Sequence, residues 1–259
     1  MKIEAGLFDH MVLQRNRRDV SDAELAGTAG CKTDGVLKVR IARGRRAVKG
    51  FNWVRAGRVR RGRFRGRLKG LAAGGPYSVE LRIEGGGGQV LDRLEVKDVL
   101  VGDVWILGGQ SNMQGAGVLT DAEPAHPMVR ACYMDDAWAV ARDPIHNMWA
   151  AADEVHGGPQ TDQRPPGELK IGTAPGVSFA RRMHRLTGVP QGVIACAHGG
   201  TSMAQWDPKA KKLAGKSLYG SMLRRFRKNG AKVAGVAWYQ GESDANEDAA
   251  PRYAANMKA

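Results

Sequence analysis

The sequence predicts an α/β fold in which a parallel sheet follows a smaller β-rich domain. Two patterns predict it. From Val101 onward, short apolar runs alternate with segments of helical periodicity, and strand–helix–strand order implies right-handed crossovers and a parallel sheet. Before about residue 97, apolar and polar residues alternate with period two between glycine-rich turns, as strands with one buried face require.

In the first part, Gly35–Ile41 and Tyr77–Ile83 show the period-two alternation, and Gly85–Gly88 reads as a flexible turn. We expect a small β-sandwich over residues 1–97 and the α/β domain over 98–259. There the run 101–107 is the first buried strand. The stretch 118–172, rich in Pro, Asp and His, reads as a long loop insertion over a site. A helix is expected at 177–187, with Phe179, Met183 and Leu186 on one face and Gly188 as its stop. Gly192–Cys196 is a second buried strand. Leu218, Met222, Leu223 and Phe226 mark a further helix, closed near Gly230, and Val233–Tyr239 is a third strand. No internal repeat is evident.

A chain of 259 residues with 42% apolar content can bury a core. No apolar run reaches the length of a membrane span. The opening Met-Lys-Ile-Glu-Ala-Gly lacks the apolar core of a signal peptide, which reads either as cytoplasmic or as an incomplete start, and the compartment stays open. Cys31, Cys132 and Cys196 have neither metal-site nor disulfide-framework spacing, and read as free thiols. The net charge of +14 is concentrated, since residues 40–69 hold thirteen Lys or Arg and no acid. A polyanion surface is one reading. The solvated face of β-strands is favoured, because Phe51, Trp53, Val54, Val59, Phe64 and Leu68 recur among the arginines. Nucleic acid is therefore disfavoured as a partner, and no oligomeric state is implied.

Three polar loops follow the three apolar runs: Gly109-Gln110-Ser111-Asn112-Met113, Ala197-His198-Gly199-Gly200-Thr201-Ser202 and Gln240-Gly241-Glu242-Ser243-Asp244. In a parallel sheet such strand ends lie on one edge, which makes one site. Gly109 permits a sharp turn, and Ser111 would open a helix whose free N–H groups favour negative charge. Ser111 suits two roles, nucleophile or helix cap. Glu242 and Asp244 suit either sugar hydroxyls or loop capping.

These motifs resemble the SGNH hydrolases, and most closely their sialate O-acetylesterase-like branch. That branch carries GQSNM around its serine, a GGTS-type loop second and YQGES third. All three occur here in that order, and the opening Leu7–Arg15 also resembles the family's start. The resemblance implies a flavodoxin-like parallel sheet with helices on both faces. It implies a serine esterase that removes O-acetyl groups from carbohydrates, without metal or cofactor. Ser111 would be the nucleophile. Its own N–H, an N–H of the Gly199-Gly200 turn (Gly200 favoured) and the Gln240 amide would hold the oxyanion. Gln110, Asn112, Gly199 and Glu242 would lie against an acetylated carbohydrate.

Family members place their base in a late Asp-x-x-His, and none follows Asp244 here. The expectation is a domain truncated at its C-terminal side. Asp143-Pro144-Ile145-His146 has the spacing but the wrong chain order, and His198 adjoins the glycine turn; neither is preferred as the base. The rival classes are an inactive carbohydrate-binding relative and, resting only on residues 40–69, a nucleic-acid binder. Sialate esters and acetylated plant polysaccharides are not separated by these residues.

Overall fold

The computed structural model describes residues 1–30, 32, 34–157 and 169–259. Cys31 and residues 158–168 of the expected insertion lie outside them. The chain divides into two compact units, Met1–Asp103 with Arg227–Lys232, and Val104–Phe226 with Val233–Ala259.

The first unit is built from β1 (Lys2–Ala5), β2 (Val12–Gln14), β3 (Val20–Thr28), β4 (Gly35–Arg43), β5 (Arg46–Ala47), β6 (Val54–Arg60), β7 (Arg63–Ala72), β8 (Gly74–Glu84) and the first part of β9 (Val90–Gly109). Hydrogen bonds link them in the order β1-β3-β7-β6-β4-β8-β9, with β2 added parallel on β9 and β5 on β4. The sequence alternation becomes an alternation of burial. Leu37, Val39 and Ile41 of β4 point inward with Val79, Leu81 and Ile83 of β8. Each such side chain contributes about 1.5–3 kcal/mol by leaving water.

The basic segment 51–69 is strand, with Val59, Phe64 and Leu68 inside and Arg58, Arg60, Arg63, Arg65 and Arg67 outside. Arg58 stands directly across from Arg65, and Arg60 across from Arg63.

In the second unit the end of β9 is joined by α1 (Ser111–Gln114), β10 (Gly117–Val118), β11 (Val129–Cys132), β12 (Trp138–Val140), β13 (Ile171–Thr173), α2 (Pro175–Thr187), β14 (Gln191–Ala195), α3 (Leu218–Lys228), β15 (Gly235–Tyr239) and α4 (Ala250–Lys258). The sheet order is β15-β9-β14-β11-β12. β15 runs parallel to β9, and β11 parallel to β14. The bonds Cys196 N to Leu107 O and His198 N to Gly109 O advance together along both chains, so β14 and β9 are parallel too. β12 closes the far edge antiparallel. β14 is buried throughout, as a central parallel strand should be, whereas β15 is an edge strand with Val236 and Tyr239 exposed.

Helices cover both faces. A Cβ at Gly176 of α2 would lie 2.3 Å from Leu107 Cδ1, and a Cβ at Gly108 would lie 3.8 Å from Met222 Sδ of α3. Leu107 and Gly108 are successive residues of one strand and so face opposite ways.

The structure corrects three expectations. The stretch 118–172 is not simply a loop, because β11 lies in the sheet. Its four residues, interrupted by Arg130, are too short for a periodic signal. The buried face of α2 is Gly176, Val177 and Ala180, while Leu186 is exposed. Small residues let this helix approach the sheet; Phe179 instead meets Trp105 edge-on at 5.1 Å. The apolar residues that mark α3 are only part of its buried face: Leu218 is buried with Gly220, Ser221 and Arg225, while Met222, Leu223 and Phe226 are half-buried.

Arg225 is fully buried and held by Asp136 Oδ1 at 2.7 Å and by the main-chain oxygens of Cys132, Tyr133 and Met134. A buried guanidinium persists only with such partners.

Candidate active site

The three polar loops meet at the ends of β9, β14 and β15. The chain leaves β9 through Gly109 at φ 134°, where a Cβ would lie 2.0 Å from Tyr239 O. Glycine is required there for two reasons, the conformation and the approach of β15. Ser111 follows as the first residue of α1, and the cap position belongs to Gln110, whose side chain makes no capping bond. Ser111 thus opens a helix as expected, but the helix is a single turn, so no summed dipole acts on it. What remains is its own N–H, which has no hydrogen-bond partner among the described residues.

Ser111 is exposed and opens on a cleft of about 580 Å³. Gln114, Met148, His156, His198 and Gly199 also line it. Gly199 sits against the serine, since a Cβ there would lie 3.7 Å from Ser111 Cα and Cβ. The Gly199 N–H donates to Gln114 Oε1 at 2.6 Å. The Gly200 N–H, at φ 69°, has no such partner among the described residues.

Gln240 differs from the expectation. Its buried amide donates to Gln110 Oε1 at 3.1 Å, Thr201 O at 3.0 Å and Asp244 Oδ2 at 2.5 Å. Two protons shared among three acceptors leave none directed at the cleft. In this geometry Gln240 ties the three loops together.

Gln110 is likewise buried, and its Oε1 also accepts from Gly241 N at 3.4 Å and Ser243 N at 3.2 Å. It is a loop brace, not a surface offered to a ligand. Asp244 Oδ2 accepts from Met203 N at 2.8 Å, which is the loop-capping alternative for that residue. Asn112 Nδ2 donates to Glu242 Oε1 at 2.5 Å, and both side chains are exposed.

His146 is buried beside the main chain of Leu107 and Gln114 and does not line the cleft. Burial, with Arg225 nearby, depresses its pKa to about 3, so it is neutral. Burial also raises Asp143 to about 6.

Sequence reasoning passed over a second imidazole. His156 Nδ1 lies 2.9 Å from His198 Nδ1, and His156 Nε2 lies 3.1 Å from Ser221 Oγ. Ser221 Oγ donates to Asp153 Oδ2 at 2.6 Å, and Arg224 holds the same oxygen at 2.7 Å. Burial first, then the neighbouring His198 and Arg225, depress the His156 pKa to about 3, and burial lowers that of His198. His156 falls in the His-containing stretch 118–172, which was the one available signal.

The family model described as carbohydrate esterase, sialic acid-specific acetylesterase matches residues 101–259. The chain belongs to this carbohydrate esterase family. Among curated proteins it is similar to a probable carbohydrate esterase of Arabidopsis thaliana, at 27% identity over 162 aligned positions covering 54% of each chain. It is also similar to the sialate O-acetylesterase of Homo sapiens, at 27% identity over 205 positions covering 69% of this chain and 38% of that one. Among solved structures, a carbohydrate acetylesterase from Xanthomonas citri superposes with a TM-score of 0.62 at 26% identity, covering 99% of this chain and 54% of that one. The chain thus spans about half or less of the length of these relatives.

Proposed function

We propose that this member of the carbohydrate esterase family is a serine esterase that removes O-acetyl groups from carbohydrates, with Ser111 as nucleophile. One observation carries the reading: an exposed serine stands at a buried strand end, inside a cleft, with the Gly199 backbone against it. Ser111 Oγ attacks the acetyl carbonyl carbon, and the sugar oxygen leaves. Water then clears the acyl-enzyme by the same steps. The uncommitted N–H groups of Ser111 and Gly200 are the donors assigned to the oxyanion. Exposed Asn112 and Glu242 are assigned to sugar hydroxyls, Gly199 to close backbone approach, and Gln110 and Gln240 to bracing the loops. In this reading residues 1–97 form a β-sandwich and 98–259 the hydrolase domain.

The test is hydrolysis of p-nitrophenyl acetate and of an O-acetylated sugar by the wild type and by Ser111→Ala. Loss of both activities in the variant is expected. Equal rates remove Ser111 from the mechanism.

A further inference from the structure

We propose that the outer face of β6 and β7 binds an acidic polysaccharide, a polymer whose successive sugars carry carboxylates. The inference deepens the esterase reading by naming a class of carbohydrate, and it rests on that reading for the choice of a sugar polymer.

The sheet itself supplies the contrast. On neighbouring β4 and β8 the outward cations are matched. Lys38 lies 2.6 Å from Glu84, Arg82 lies 2.6 Å from the same carboxylate group, and Arg40 is paired with Glu80. On β6 and β7 cation stands against cation, Arg58 across from Arg65 and Arg60 across from Arg63. Like charges placed directly opposite destabilise a sheet. Of these four, only Arg63 forms an ion pair among the described residues, with Glu4 at 3.1 Å. A face kept only for solubility could alternate its charges without that cost, as β4 and β8 do.

Two hollows lie along these strands, of about 530 and 500 Å³, and both are lined by Ala56 and Arg67. Arg55, Arg58 and Lys69 also line the first, and Arg65 and Arg227 the second. All six cations are exposed, and none forms an ion pair among the described residues. Outward side chains stand about 6.7 Å apart along a strand and about 4.8 Å apart between strands. So dense an array suits a chain of regularly repeated anions better than a single small one. Each guanidinium fork can take a carboxylate through two parallel N–H···O bonds.

Two observations favour a sugar polymer over a nucleic acid. Glu24, directly across from Arg67, lines the second hollow and is the one carboxylate in either. It accepts hydrogen bonds from sugar hydroxyls but repels a phosphodiester. Single strands of nucleic acid are held by stacking on exposed aromatic rings. Here Phe51 and Phe64 are buried, and the Arg82 guanidinium covers the Trp53 ring at 3.9 Å from its centre.

The experiment measures binding of the whole chain to immobilised polygalacturonate, to the same polymer fully methyl-esterified, and to single-stranded and duplex DNA, at about 0.15 M salt. The variants are Arg58→Gln/Arg65→Gln and, as an equal loss of charge elsewhere, Lys211→Gln/Lys212→Gln, both lysines being exposed. Wild type should bind the acid polymer and not the ester. The arginine pair should weaken that binding by about 2–30-fold, the equivalent of two exposed charge pairs, and the lysine pair should leave it unchanged. The melting temperature of the arginine variant should equal or exceed that of wild type, because a repulsion has been removed. Equal loss in the two variants would mean attraction by net charge alone and overturns the proposal. Equal binding of acid and ester, or a melting temperature lowered in the arginine variant, also overturns it. Tighter binding of DNA at equal charge concentration assigns the face to nucleic acid instead. No turnover is measured, so failure here leaves the Ser111 reading standing, and loss of that reading leaves the binding result intact.

Discussion

Lowering the pH from 7 to 5 should destabilise the second unit, and His156 should account for much of the loss. His146 and His156 are buried and neutral, each with its pKa depressed from 6.5 to about 3. In the unfolded chain both titrate near 6.5. Between those values the unfolded state binds protons that the native state refuses, so stability is present above pH 6.5 and falls with pH. From pH 7 to 5 each imidazole costs about 2 kcal/mol. Asp143, raised from 3.8 to about 6, works in the opposite sense. The native state takes up its proton first, which returns at most about 1 kcal/mol once partial exposure is allowed for. A net loss of about 2–3 kcal/mol remains. His198, displaced in the same direction as the buried pair, adds to it.

The assay is urea unfolding followed by tryptophan fluorescence at pH 7 and pH 5, for wild type and His156→Gln. The variant starts less stable because a bond to Ser221 is altered, but its loss between the two pH values should be smaller by about 2 kcal/mol. An unchanged pH dependence in His156→Gln would refute the claim that His156 is buried and neutral.

Gln240→Ala should lower both the melting temperature and the esterase rate, because it removes the amide joining Gln110, Thr201 and Asp244. The cost should be about 1–3 kcal/mol. A rate loss of several hundredfold at unchanged melting temperature would instead make Gln240 an oxyanion donor. On the first unit, Arg65→Glu should raise stability by about 0.2–1 kcal/mol, because it replaces a like-charge cross-strand pair with an opposite one. Thermal melts at low and high salt check this, and the gain should shrink as salt rises.

The strands at Val101–Leu107, Gly192–Cys196 and Val233–Tyr239 were legible because each is a continuous apolar run or nearly so, and their polar loops are contiguous in sequence. Four-residue β11 was not legible, since no period can be read from Val129-Arg130-Ala131-Cys132. The faces of α2 and α3 were misread for a common reason. Periodicity ranks side chains by apolarity, whereas packing selected Gly176 and Ala180 for their size, and Ser221 and Arg225 for their partners.

The candidate site divides along the same line. Sequence by itself determined the family, through three motifs in order, and the loop that carries Ser111. It also determined the β-rich first part, through alternation dense enough to survive thirteen basic residues in thirty. Tertiary structure alone decided which donors are free. Gln240 has the right residue type for an oxyanion, but a side chain's protons go to whichever acceptors folding brings within reach. Gln110, Thr201 and Asp244 lie within that reach, at 3.1, 3.0 and 2.5 Å. The hydrogen-bonded chain of His198, His156, Ser221 and Asp153 joins residues 42 to 68 positions apart in the chain. Such bonds are made only in three dimensions, so no spacing in the sequence could have announced them.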